Sequence, residues 1–142
     1  MNQFIISFSF ICLPVALFGN WLSFRGDAGN GLITQSLSPH IGLKSESAWK
    51  VDLPGRGLSS PIIVGKHVFL TASSGPKQKT LHILAFEIET GKQSWERKFK
   101  ATGRTICHEK TCVAAPTMVS NGEVVVAQFS SNDIFCMDLR GN

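Results

Sequence analysis

Between positions 107 and 112 two cysteines flank a histidine and an acid, in the order Cys107-His108-Glu109-Lys110-Thr111-Cys112. Two thiolates and an imidazole are ligand types that suit zinc or copper. A structural zinc takes four ligands, however, and a Cys-x4-Cys with no second pair offers too few. The order is also not the Cys-x-x-Cys-His of covalent haem attachment. In an oxidising compartment the simpler outcome is a Cys107–Cys112 disulfide that pins a loop. We therefore expect the disulfide and keep a metal-handling module on Cys107, His108 and Cys112 as the alternative. Cys136 would then be a buried free thiol in an inner strand, and Cys12 lies in the apolar N-terminal stretch.

The remaining reactive residue types do not assemble into a known reaction motif. His40, His67 and His82 fall in different segments and read as turn or strand polar residues. Ser59-Ser60-Pro61 and Ser130-Ser131-Asn132-Asp133 read as turns. Neither a Gly-x-Ser-x-Gly elbow nor a phosphate-binding glycine loop occurs. No catalytic residue and no cofactor is predicted. The formal net charge of +4 is carried by one stretch, where Lys92, Arg97, Lys98, Lys100, Arg104 and Lys110 face only Glu96 and Glu109. These cations are not interleaved with stacking aromatics, which argues against nucleic acid. Arg104, Lys110 and Asp133 are the candidates for lining a groove on a loop face.

Around these residues the chain divides into unlike parts. Residues 1–19 contain no Lys, Arg, Asp or Glu, and 4–18 is nearly all apolar. That run is shorter than the ~20 residues of a membrane span. With Pro14 near its end it reads as a signal peptide. The expected product is exported, periplasmic or associated with the cell envelope, and not transmembrane after cleavage. Residues 20–48, rich in Gly, Ser, Asn and Pro, form an irregular lead-in. Beyond them short Val, Ile, Phe and Leu runs alternate with Gly, Asn, Ser and Lys turns, so the fold class is all-β. Strands are expected at 61–64, 67–72, 81–88 and 94–99, with a turn at Glu89-Thr90-Gly91-Lys92.

This pattern occurs twice. Trp49 leads to Ser60-Pro61-Ile62-Ile63-Val64-Gly65, and Trp95 leads to Ala115-Pro116-Thr117-Met118-Val119-Ser120-Asn121-Gly122. Each copy then reaches an acid–glycine turn, Phe86-Glu87 to Gly91 and Met137-Asp138 to Gly141. A period of about 50 residues built only from short strands is that of a β-propeller blade, a four-stranded antiparallel sheet stacked on its neighbours. Blade 1 is expected at about 49–96 and blade 2, incomplete, at about 97–142. Inner strands such as Val124-Val125-Val126-Ala127 should be apolar on both faces, and Trp49 and Trp95 should pack between blades.

The turn sequence Ala85-Phe86-Glu87-Ile88-Glu89-Thr90-Gly91-Lys92-Gln93-Ser94-Trp95 resembles the Ala-x-Asp-x-x-Thr-Gly-x-x-x-Trp repeat of pyrroloquinoline-quinone-like (PQQ-like) propellers, with Glu87 in place of the Asp. The second copy, Cys136-Met137-Asp138-Leu139-Arg140-Gly141, keeps the Asp. Trp21-Leu22-Ser23-Phe24-Arg25-Gly26-Asp27-Ala28-Gly29-Asn30-Gly31 is similar to the opening of exported members. The resemblance implies one of two roles. One is a non-catalytic scaffold, like the propeller lipoprotein of outer-membrane barrel assembly, that binds a protein or ligand on its loop face. The other is the N-terminal part of a quinone-dependent alcohol or sugar dehydrogenase, which would use PQQ and calcium. That second group often carries adjacent cysteines over the cofactor, and this chain has none. The scaffold is the expected function.

A propeller closes with about 4 to 8 blades. Two blades leave apolar faces and strand edges open, so further blades or self-association are expected. The chain is accordingly expected to be a fragment.

Overall fold

The computed structural model describes residues 19–33 and 49–142. The expected signal peptide, His40 and Cys12 lie outside the described residues. The described residues contain no α-helix, and none of their helices is long and apolar enough to cross a membrane.

Two antiparallel meanders make up the body. The first joins β1 (Ile62–Val64), β2 (His67–Ser74), β3 (Thr80–Glu87) and β4 (Gln93–Lys100) in chain order. The second joins β5 (Val119–Ser120), β6 (Val124–Gln128) and β7 (Ile134–Asp138). The all-β class and the partial-blade architecture expected from the sequence are therefore present. The first sheet continues to Lys100, past the expected blade boundary at 96. β2 and β3 are joined through a 3-10 turn, Pro76–Gln78.

Side-chain parity explains the packing, because alternate residues of a strand face opposite sides. Ile62, Phe69, Leu81, Ile83 and Ala85 of the first sheet share one buried cluster with Val125, Ala127 and Met137 of the second and with Met118 and Phe129, which flank its strands. On the far side of the first sheet, Ala72, Leu84 and Phe86 are covered by Leu53 and Leu70. β3 is thus buried on both faces, which is why residues 81–86 read as an unbroken apolar run interrupted only by His82.

β6 departs from expectation. Val125 and Ala127 are buried, whereas Val124 and Val126 are only half-buried. Their face of the second sheet carries no covering layer among the described residues. The same parity corrects the expectation for Cys136: it pairs with Val126 on that open face and is exposed.

In both acid–glycine turns the glycine amide donates to the acid's carbonyl, over four residues in the first and three in the second. Gly91 N donates to Glu87 O, while Thr90 Oγ1 donates to Glu87 Oε2 at 2.8 Å. Gly141 N donates to Asp138 O, and Asp138 Oδ1 accepts from Arg140 N and Asn142 N. The acid therefore anchors the turn through its side chain, and glycine closes it at φ 69° or 84°, a conformation costly for other residues.

Candidate functional site

At the end of the sheets opposite these turns, four connections gather: residues 53–61, the β2–β3 turn 75–79, the long β4–β5 loop 101–118 and the β6–β7 turn 129–133. Long connections at one end of a rigid scaffold are where binding residues concentrate.

Gln78 organises this end. Its Oε1 accepts from Ser73 Oγ at 2.8 Å and from Val113 N at 3.0 Å, and its Nε2 reaches Cys107 Sγ at 3.4 Å. One amide thus ties β2 to both arms of the 107–113 loop. To reach them, Lys77 and Gln78 take left-handed φ values of 55° and 57°, strain that surrounding contacts must hold. Nothing in the sequence marked Gln78, because a lone glutamine in a lysine-rich turn carries no motif.

The second anchor is Asp133, almost fully buried. Its carboxylate accepts from Thr102 Oγ1 and N and from Ser131 Oγ at 2.6 Å. Burial pushes this acid up, but hydrogen bonds from Ser131, Thr102 and Gly103 outweigh it and hold the group below the usual aspartate range. Asp133 therefore fixes the start of the 101–118 loop instead of lining a groove. Arg104 and Lys110 remain exposed on that loop.

Arg56 closes the surface from the other side. Its backbone pairs with Ser73, its guanidinium donates to Glu109 O, and Leu58 N donates to Ala114 O at 3.2 Å. The connections gathered at this end carry exposed Leu58 and Ile106, at 52% and 67% exposure, and exposed Arg56, Arg104 and Lys110. Large apolar side chains rimmed by cations are a composition suited to docking.

The cysteine cluster takes a different form from either sequence expectation. The Cys107–Cys112 bridge is not made: Cys107, Cys112 and Cys136 are free thiols. Cys112 is fully buried in the apolar cluster beside Val113 and Ala114, and Cys107 is held by Gln78 and Thr111 O. His108 turns outward, where its Nδ1 accepts from Lys110 N at 3.1 Å. Cys107, His108 and Cys112 therefore do not form a ligand set, and no three His, Cys, Asp or Glu groups among the described residues come together as a metal site.

Trp49 and Trp95 lie at the other end and are half-buried. Trp95 Nε1 donates to Leu139 O at 2.9 Å, and Trp49 Nε1 to Ile88 O at 2.8 Å. Trp95 also packs 5.8 Å from the Phe69 ring. Trp21, in the lead-in, pairs with the backbone of Ile63, and Leu22 O accepts from Ser120 N. The lead-in thereby touches the first strand of each sheet. His67 borders a shallow recess with Lys66, Glu87, Ile88 and Glu89 at the end opposite the patch. His82 is a buried strand residue with both ring nitrogens engaged.

The PQQ-like repeat model described as outer membrane protein assembly factor BamB matches residues 44–142. No curated protein matches the chain significantly.

Proposed function

The chain belongs to the PQQ-like repeat family of outer membrane protein assembly factor BamB, and from that premise we propose that it is an exported binding scaffold whose partner docks on the loop end. The observation that carries this reading is the exposure of Leu58 and Ile106, together with Arg56, Arg104 and Lys110, on the connections of the loop end. Its apolar side chains give area to bury, and its cations favour a partner surface bearing acids. Gln78 and Asp133 hold the patch in shape before a partner arrives, which lowers the ordering cost of binding. The uncharged N-terminal stretch of the sequence supports export to the envelope, where the protein of the matched description works.

The test is site-specific photocrosslinking in the native host. A photoreactive residue at Ile106 should give one discrete adduct, and the same residue at Glu123, on the opposite end, should not. Arg56→Glu with Arg104→Glu should abolish the adduct at Ile106. No adduct, or the same adducts from both positions, would count against docking at this end.

A further inference from the structure

Ser74, His82 and Glu96 sit on three adjacent strands of the first sheet, on the face turned away from the second sheet. The register pairs Ala72 with His82 and Leu84 with Glu96, so the three side chains lie on one diagonal of the same face. Ser74 Oγ is 2.6 Å from His82 Nε2, and His82 Nδ1 is 2.7 Å from Glu96 Oε1. The carboxylate fixes the tautomer: Nδ1 carries the proton and donates to Glu96, which leaves Nε2 as the acceptor for the Ser74 hydroxyl. This is the connectivity of nucleophile, base and orienting acid.

The surroundings fit that assignment. His82 is 3% exposed, so water does not compete for its ring. Lys98 Nζ lies 3.2 Å from the second oxygen of Glu96 and favours its charged form. Ser74 itself is only half-buried. It ends β2, the residue after it is Gly75 at φ 72°, and Gly55 passes so close that a Cβ there would come 2.7 Å from Ser74 Cβ. The backbone of Gly55 therefore packs directly against Ser74. A serine at a strand end followed by a turn residue is also how hydrolases present their nucleophile, with the next amide as oxyanion donor.

We propose that Ser74 is an activated nucleophile, with His82 as its base and Glu96 as the group that orients His82, reactive toward carboxylic esters. In the step, Ser74 Oγ bonds to the ester carbonyl carbon as its proton passes to Nε2 of His82. Collapse breaks the ester C–O bond, and the alkoxide leaves with that proton. Water, deprotonated by the same nitrogen, then bonds to the acyl carbon; the Ser74 Oγ–C bond breaks, the acid leaves, and the proton passes from Nε2 back to Ser74 Oγ. This goes beyond docking on the loop end and does not depend on it, because a small electrophile needs no partner.

The probe is a fluorophosphonate, which transfers its phosphonyl group to an activated serine oxygen with loss of fluoride and a proton. Full-length protein should gain one adduct, mapped to the peptide holding Ser74. Ser74→Ala should remove it, His82→Gln should slow it by about 100-fold or more, and Ser59→Ala should leave it unchanged. Urea-unfolded wild-type protein, compared with folded, guards against a variant that misfolds: activation must vanish on unfolding. No adduct on folded protein, equal rates folded and unfolded, or labelling that survives Ser74→Ala would overturn the assignment.

Discussion

The indole of Trp95, at the start of the outer strand of one sheet, lies against Gly141 in the last turn of the next. A methyl group on Gly141 would sit 2.9 Å from the ring, and the ring nitrogen donates to Leu139 O. Trp49 repeats the arrangement on Gly91, where the methyl would come within 2.5 Å, and donates to Ile88 O. Trp21 covers Gly26 in the same way, where an added methyl would sit 2.9 Å from its ring. All three tryptophans of the chain therefore close on a glycine with left-handed φ, two of them across about 40 to 50 residues.

Gly91→Ala and Gly141→Ala should each cost more than the ~1 to 2 kcal/mol that a left-handed alanine costs alone, because the methyl must displace an indole. Gly65→Ala supplies the comparison: its φ is 56° and nothing lies within 4 Å of the added carbon. Urea titration should rank Gly91→Ala and Gly141→Ala well below Gly65→Ala in stability. Equal losses at the three positions would show that the indoles do not clamp the glycines.

Asp133 should give the fold an acid-sensitive component. Its folded pKa lies below the ordinary aspartate value of 3.8, so its contribution is complete above about pH 4 and is lost as pH falls further, through the folded value. Chemical denaturation repeated from pH 5 downward should show stability falling below about pH 4. Asp133→Asn should be less stable at pH 7 by about 1 to 3 kcal/mol and should show a shallower fall below pH 4.

Gln78→Ala should release the 107–113 loop by removing the acceptor shared by Ser73 and Val113. Leaving such partly buried donors unmatched costs about 1 to 3 kcal/mol. Limited proteolysis should then cut faster within 107–113, while cleavage elsewhere stays unchanged. An unaltered pattern would remove Gln78 as the organiser of the loop end.

The strands were readable because Val, Ile and Phe runs bounded by Gly and Asn follow a period of two, and Trp49 and Trp95 stood out through the Thr90-Gly91 to Trp95 spacing. What the spacing hid is the partner: Trp95 follows the turn at Gly91 in sequence but closes on the turn at Gly141. Local pattern cannot report such pairing, since it depends on how one sheet stacks on the next. Gln78 escaped notice for a related reason, as its role comes from a left-handed backbone and two long-range contacts, accepting from Val113 N and donating to Cys107 Sγ. Ser74, His82 and Glu96 are separated by 8 and 14 residues and meet only through the register of three strands. The exposure of Cys136 and the half-burial of Val126 follow from parity once one face of the second sheet lies open.

That open face is the feature the propeller account must explain. Val119, Val126 and Cys136 stand opposite one another across its three strands, with Ile134 at 63% exposure nearby. Stacked blades bury such faces, so the account requires a further blade or a second copy against it. Light scattering combined with intact mass, on protein extracted without denaturant, tests this most directly. The predicted result is a particle heavier than the 15.5 kDa of one chain; where it consists of several copies, Val126→Lys should return it to single chains. A monodisperse, cooperatively folding monomer of 15.5 kDa or less would contradict it.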